Sequence, residues 1–429
     1  MPRLGATCEG GGIRFCVWAP QRNCVEVVLE SGPNAGSVHA LPALDALFSG
    51  VVGAAGVGDR YRYRLDGEGP YPDPASRFQP EGVHGPSEII DPTLFGWSDV
   101  NWTGVHLSNL SIYELHVGTF GPNGTFGQVT ERLPYLRDLG VAAIELMPVA
   151  DFPGTRNWGY DGVALFAPAR CYGRPDDLRR LVNVAHGLGL GVILDVVYNH
   201  LGPDGNYLNC FSPFYFSKHH LTPWGDAVNL DGPHCGMVRE LFFQNAVHWL
   251  REYHIDGLRL DATHALIDEG PRHFVAELTS RVRESIDGRE AVVIAEDQRN
   301  LSSMLRPETE GGWDLDAVWA DDFHHQMRRI LAGDHEGYYA EYSASMDDLA
   351  TALREGWLRR DPVPVEEARL ILSDDAVERQ RLVICIENHD QVGNRAFGDR
   401  LHHEIDLAAY RAASVLLFCA PETPLLFMG

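Results

Sequence analysis

From Leu110 onward this 429-residue chain alternates short apolar runs with longer helical patterns, eight times in order. The runs cover residues 110–117, 142–149, 191–197, 257–263, 291–296, 317–323, 382–386 and 424–428. Between them, stretches such as 175–188, 238–253, 274–286 and 407–417 carry apolar residues at helical spacing. A strand followed by a helix, repeated eight times, predicts an α/β architecture, the parallel (β/α)8 TIM barrel. In such a barrel the chemistry collects where the strands end.

The polar residues of this chain fall at those ends. The third strand runs into Asp195-Val-Val-Tyr-Asn-His200 and the fourth into Arg259-Leu-Asp261-Ala-Thr-His264. The fifth ends in Glu296-Asp297, the sixth in Asp321-Asp-Phe-His-His325, the seventh in Glu387-Asn-His-Asp-Gln391. Five charged strand ends in succession are hard to read as solvated loops. In the fourth, Arg259 and Asp261 sit two apart, so on a strand they share a side. A guanidinium favours the ionised carboxylate, so Asp261 is expected to be charged and nucleophilic. A structural ion pair is the bland alternative for that motif taken alone.

Before the barrel, residues 1–95 read as β. Ile13–Ala19 alternates up to Pro20, and Arg60-Tyr-Arg-Tyr-Arg-Leu65 alternates basic with aromatic before an Asp66-Gly67 turn. Short strands separated by Gly and Pro predict a small N-terminal β-sandwich. Aromatics such as Trp18 and Tyr61 could bind ligand there; filling the core or facing the next domain is the better reading. Residues 96–109 form a connector that should pack through its tryptophans, and residues 110–429 form the barrel.

Composition narrows the partners. Asp plus Glu is 60 against 35 Lys plus Arg, a formal net charge of −25. That acidity argues against nucleic acid or an anionic membrane and suits a neutral ligand such as a sugar. None of the eight cysteines forms a Cys-x-x-Cys pair, so free thiols in a reducing compartment are expected. The N-terminus lacks the apolar core of a signal peptide, and no apolar run reaches membrane-spanning length. A soluble cytoplasmic monomer is the expectation.

Three carboxylates then stand out: Asp261, Glu296 and Asp390. Glycoside hydrolysis needs one ionised carboxylate and one that holds a proton. Arg259 suits Asp261 to attack at the anomeric carbon. Glu296 follows the apolar Val292-Val-Ile-Ala295, where desolvation should raise its pKa and make it the acid. Asp390 is the candidate for holding sugar hydroxyls in a distorted transition state. His200, His264, His324, His325 and His389 could ligate a metal, but they lie on separate strand ends, and imidazoles donating to sugar hydroxyls explain them as well. Trp158 and Tyr160, in the Gly-rich Asn157-Trp-Gly-Tyr-Asp-Gly162, offer a flat platform on which a pyranose could stack.

At these residues the chain resembles the α-amylase family of glycoside hydrolases. Asp195-Val-Val-Tyr-Asn-His200, Gly257-Leu-Arg-Leu-Asp261, Ala295-Glu-Asp297 and Asn388-His-Asp390 match its four hallmark segments in order. The resemblance implies Asp261 as nucleophile, Glu296 as acid/base and Asp390 as transition-state stabiliser. It implies substrate contacts from Tyr160, Asp195, His200, Arg259 and His389. The N-terminal strands resemble the module that precedes the barrel in branching and debranching members.

Within the family the chain is most similar to members that release trehalose from trehalose-capped malto-oligosaccharides. Asp321-Asp-Phe-His-His325 and Asn388-His-Asp-Gln-Val-Gly-Asn-Arg395 carry that likeness most specifically, and Thr222-Pro-Trp-Gly225 and Glu336-Gly-Tyr-Tyr339 add to it. It implies further sugar contacts from Trp158, His264, Asp322, His324, His325 and Gln391, with the 322–325 loop facing the trehalose. A glucan branching transferase and a non-catalytic glucan-binding barrel remain the alternatives. The region 201–237 is short for the calcium-holding insertion of amylases, so neither metal nor cofactor is expected.

Two departures from the family pattern stand out. Residue 387 is Glu where Gln is expected, an added charge near the site. Residues 357–379 are rich in Pro and charge. The sequence ends at Met428-Gly429, so helix eight and a C-terminal β domain are expected to be absent from it.

Overall fold

The structure is a computed structural model that describes residues 2–286, 288–358 and 377–429. The predicted barrel is there and it closes. Its strands are β1 (Ile112–Leu115), β2 (Ala143–Leu146), β3 (Gly191–Val196), β4 (Gly257–Leu260), β5 (Val292–Ala295), β6 (Ala317–Trp319), β7 (Leu382–Cys385) and β8 (Thr423–Phe427). Each pairs in parallel with the next, and β1 pairs with β8 through Ile112 and Leu425. All six residues of β3 and all four of β4 are buried, as strands covered on both faces must be.

Alternation along the strands sorts the barrel interior into two layers. The lower layer is apolar, with Ile112, Ala143, Ile193, Ile294 and Ala317 in one cluster. Two residues further on, the inward positions carry charge. Glu114 pairs in register with Glu145, and Asp195 with Arg259. All four are at most 2% exposed. The sequence places this charged layer directly beneath the strand ends where chemistry was expected.

Helices wrap the barrel with ordinary start and stop signals. Thr125 caps Phe126–Leu139 by accepting from the Gln128 N–H, and Gly140 ends it in the left-handed region at φ 93°. Pro175–Gly187 begins on a proline at its first position, where no N–H is needed. Cys235–Glu252 and Phe274–Ser285 bury their apolar stripes against the barrel.

Several strands stop earlier than expected. After β4 the chain turns at Ala262, which is left-handed at φ 42°. After β6, Asp322–Leu331 is a helix, so the expected loop 322–325 is a helix's first turn. Likewise His389–Gly393 is a short helix capped by Asn388. The unusual stretch 357–379 lies for the most part outside the described residues.

Residues before the barrel form two antiparallel sheets. One joins Gly5–Glu9, Gly12–Trp18, Leu47–Val52 and Ala43–Leu44; the other is built around Val25–Leu29 and Arg60–Leu65. Phe15 and Tyr61 meet edge-on between them at 4.8 Å. Trp18 and Tyr61 are buried, so they are not an exposed sugar platform. Trp18 instead packs edge-on against Tyr215 of the segment after β3, and Arg22 donates to the Cys210 carbonyl there. The connector docks through its tryptophans. Trp97 stacks on His254 at 3.7 Å, and Trp102 stacks on His186 at 4.6 Å. Trp102 also packs against the lower barrel layer, closing its floor.

Candidate active site

Arg259 is the centre of the upper rim. It is fully buried, and its Cζ lies over the Trp319 ring, 4.4 Å from the ring centre. One terminal nitrogen, Nη1, donates to Asp195 Oδ2 and to Asp261 Oδ1, both at 2.8 Å. The other, Nη2, faces Glu296 Oε2 at 2.8 Å. Two carboxylates that share one guanidinium are held close together at one rim of the barrel, the side-by-side arrangement that a retaining glycosidase needs. Glu296 also accepts from the Ala262 N–H at 2.9 Å, a bond created by the left-handed turn after β4. Asp390 stands on the far side, its side chain 44% exposed and lining the same cavity as Glu296.

The protonation pattern differs from expectation. Burial and the nearby Glu296 charge push the Asp261 carboxyl well up, and Arg259 only partly offsets them. Nor is Glu296 in dry surroundings: its side chain is 21% exposed, ion-paired with Arg259 and accepting a backbone N–H. Arg259 therefore does not single out Asp261 in the resting site. It serves both carboxylates, through Nη1 and Nη2.

Tyr160 joins this centre to β7. Its hydroxyl is 2.7 Å from Asp195 Oδ2 and 2.8 Å from His389 Nε2, and its ring stacks on His389 at 5.2 Å. The loop that presents it is set by local chemistry. Gly159 has φ 100°, and a Cβ there would meet the Pro148 carbonyl at 2.1 Å. Trp158 stands at the rim, 38% exposed, with its ring edge-on to His389 at 5.8 Å. His389 is held from below by Glu114. One Glu114 oxygen lies 2.5 Å from Nδ1, and the other accepts the His389 backbone N–H at 3.1 Å. Burial opposes charge on this ring, but the Glu114 carboxylate outweighs it and pushes His389 up to about 10.

The remaining expected residues divide. Asp322, His325, Gln391 and Asp390 line a cavity of about 430 Å³ that includes Glu296. His325 lies there against Tyr338, Tyr339 and Tyr342, with burial and His324 driving it down to about 3. Asp322 has other work as well: it accepts from the Tyr342 hydroxyl, Asn300 and the Leu358 N–H. His324 is 1% exposed, bonds Asp321 and does not line the cavity, which corrects its expected sugar contact. On a helix, neighbours 324 and 325 point apart, and only 325 faces the cavity. His200 lies on the opposite side of the rim, stacked on Trp224 at 5.0 Å and bonded to the Tyr160 carbonyl. His264 sits in the one-turn helix after β4 and makes no hydrogen bond to the carboxylates among the described residues.

The structure adds residues that sequence reasoning missed. Gln298, Asn300, Tyr338 and Tyr342 line the cavity, and Glu114 and Glu145 lie beneath it. The Glu336-Gly-Tyr-Tyr339 stretch was a signal for the tyrosines. Glu387, the unexpected acid, is 6% exposed and accepts from Arg400 and from the Leu401 N–H, so its charge is matched. Among the described residues one group of potential metal ligands occurs, His220, Asp231 and Glu269, within 4.8 Å of one another. Its Asp231 Oδ2 already accepts the Glu269 N–H and lies 3.0 Å from His220 Nε2.

Comparison with known proteins agrees with this geometry. A model of the α-amylase catalytic domain matches residues 88–212, and one of carbohydrate-binding module 48, the isoamylase N-terminal domain, matches residues 3–92. The malto-oligosyltrehalose trehalohydrolase of Deinococcus radiodurans is 44% identical over 100% of this chain and 69% of its own length. That of Saccharolobus solfataricus is 42% identical over 99% of this chain and 74% of its own.

The chain belongs to the malto-oligosyltrehalose trehalohydrolase family, within the α-amylases.

A solved structure from Salmonella typhimurium, assigned as an α-amylase, superposes on this family member with a TM-score of 0.91 at 37% identity. The match covers 99% of this chain and 72% of that one.

Proposed function

We propose that the chain is a retaining glycoside hydrolase that cleaves the α-1,4-glucosidic bond next to the terminal trehalose of malto-oligosyltrehalose and releases trehalose. The observation that carries this reading is the single guanidinium shared by Asp261 and Glu296, in a chain over 40% identical to such hydrolases along nearly its whole length.

In the substrate complex Asp261 is ionised, whatever proton it holds at rest, and Glu296 carries the proton that it gives to the departing glycosidic oxygen while Asp261 attacks the anomeric carbon. A covalent glycosyl intermediate forms, and Glu296 then activates water to release it. Asp390 holds hydroxyls of the distorted ring, and the excess of carboxylates over cations at the rim favours the positive charge that develops there. Trp158 and Tyr160 support the sugar at the cleavage point, and the Asp322–His325 turn borders the trehalose. The family module over residues 3–92 supports an α-glucan as partner. We place the enzyme in the cytoplasm as a monomer. Its eight unpaired cysteines fit a reducing compartment, and no helix among the described residues is long and apolar enough to cross a membrane.

Product analysis on a trehalose-capped malto-oligosaccharide tests the reading. Free trehalose and a shortened oligosaccharide are expected. New α-1,6 branches from a linear glucan, or binding without turnover, would each overturn it.

A further inference from the structure

Hydrogen-bond geometry assigns protons around His389. Nδ1 faces a Glu114 oxygen, so Nδ1 carries a hydrogen. On the other side, Nε2 faces the Tyr160 oxygen. Tyr160 has one proton, and Asp195 Oδ2 lies 2.7 Å from it. That same Asp195 oxygen accepts from Arg259, so it is an acceptor and draws the tyrosine proton. A lone pair of Tyr160 is then left toward Nε2, which must also carry a hydrogen. Both ring nitrogens donate, and His389 is an imidazolium.

We propose that Glu114 is a positioning residue for glycosidic cleavage: it holds His389 as a doubly donating cation and thereby fixes the Tyr160 ring under the sugar. The proposal rests on the hydrolase reading above. Glu114 is 0% exposed and grips His389 twice, through the ring and through the backbone N–H. Few residues on β1 could do this, because the inward position two residues before it, Ile112, lies in the apolar layer. The groups facing His389 come from every neighbouring element. Glu114 lies on β1 with His116 just after it, Glu145 on β2, Asp195 on β3, Arg259 on β4 and Asp390 on its own helix. Trp158 and Trp319 flank the ring at 5.8 and 6.1 Å and limit water. Within that ring of groups only Glu114 contacts Nδ1. Buried Glu145, whose oxygens have no hydrogen-bond partner among the described residues, is pushed well up by burial and by Glu114, and it makes no contact with the His389 ring.

Glu114→Gln keeps the shape and one oxygen that can accept at Nδ1, but it gives up the acceptor for the His389 backbone N–H and removes the charge that sustains the cation. His389 then loses its charge at or below its ordinary value of about 6.5, because burial still opposes the cation. The ratio of kcat/KM at pH 5 to that at pH 8 is expected to rise at least tenfold over wild type, through a new fall in rate on the alkaline side. Glu114→Asp retains the charge and should lack that new limb even if its rate is lower. Selectively labelled histidine NMR on the full chain reads the same event without substrate. The His389 ring signal, assigned by its loss in His389→Asn, should be that of a neutral ring at pH 8 in Glu114→Gln and of a protonated ring there in wild type. A pH profile of Glu114→Gln parallel to wild type, or a neutral His389 in wild type at pH 7, overturns the proposal. If wild type releases no trehalose, the hydrolase reading fails, and the NMR titration still decides whether Glu114 charges His389.

Discussion

At the N-terminal ends of β3 and β4, Asp99 and Asp256 are buried against His186 and His254. At the C-terminal ends, Glu145, Asp195, Asp261 and Glu296 crowd around Arg259. In the lower cluster Asp256 accepts from Trp102, His186 and the Val192 N–H, all within 2.8 Å. Asp99 faces both imidazoles at 2.8 Å. In the upper cluster both Glu145 oxygens and Asp195 Oδ1 are buried without a hydrogen-bond partner among the described residues. Unpaired buried acids cost stability, on the order of 1–3 kcal/mol each. One end of the barrel thus satisfies its buried polar groups, and the other leaves them strained where charge must develop during a reaction.

Removing an upper carboxylate breaks this contrast most sharply. Asp261→Asn and Glu296→Gln should each lower trehalose release by about 10³-fold or more, the scale of a lost nucleophile or acid/base. Because each relieves like-charge crowding, Tm should stay level or rise. Steady-state kinetics beside thermal unfolding check both halves, and near-normal turnover in either variant would reject the assigned roles.

Below, the signs reverse. Asp256→Asn leaves His186, Trp102 and Val192 with a poorer acceptor in a site where the carboxylate is 0% exposed. Breaking a buried, hydrogen-bonded charge costs about 3–5 kcal/mol. Denaturant unfolding should register that loss, while kcat stays within twofold. A large fall in kcat with unchanged stability would mean that the two ends do not divide the work in this way.

How much of this was legible follows from what each feature depends on. The barrel and its three rim carboxylates were readable because each strand is a short apolar run that ends in polar residues. Asp261 and Glu296 therefore stood out against Leu260 and Ala295. Glu114 and Glu145 were hidden because a lone acid inside an apolar run gives no sign of facing inward. Alternation held the clue, since Glu114 shares a face with Ile112 and Glu145 with Ala143. The helix at Asp322–Leu331 was hidden by Ala317-Val-Trp-Ala320, whose apolar run reads on into Phe323. Protonation was not legible at all. It depends on distances among Arg259, Asp261 and Glu296 that spacing along a strand does not fix.

Acid sharpens the comparison at smaller scale. His325 in the upper cavity is lowered to about 3, so between that value and about 6.5 the unfolded chain binds a proton that the folded chain does not. Stability should therefore fall as pH drops below 6.5. His254 in the lower cluster is lowered too, by burial, but Asp99 opposes the shift, so the lower end contributes the smaller share. Lowering the pH from 6.5 to 4.5 should cost wild type more Tm than His325→Gln, by roughly 2–4 °C. Other buried histidines, such as His273, lowered to about 4, keep part of the slope in the variant. Equal slopes would place the acid sensitivity elsewhere.

The smallest effect concerns Glu387, an upper-rim acid that behaves like a lower one. It is 6% exposed, yet Arg400 Nη1 lies 3.2 Å from one oxygen, and the Leu401 N–H donates to the other at 2.9 Å. Arg400 also lies over the Phe427 ring at 5.0 Å and bonds the Met428 carbonyl, so this pair ties the chain after β7 to β8. Position alone would class Glu387 with the strained acids, whereas its partners class it with the satisfied ones. If partners decide, Glu387→Gln keeps an oxygen for Leu401 and loses only the charged bond to Arg400. It should then cost about 1 kcal/mol of stability and change kcat by less than twofold. If position decides, the variant should gain stability and lose rate, as Glu296→Gln is expected to do. Measuring Tm and kcat on that one variant separates the two cases, because stability moves in opposite directions and only the second case lowers the rate.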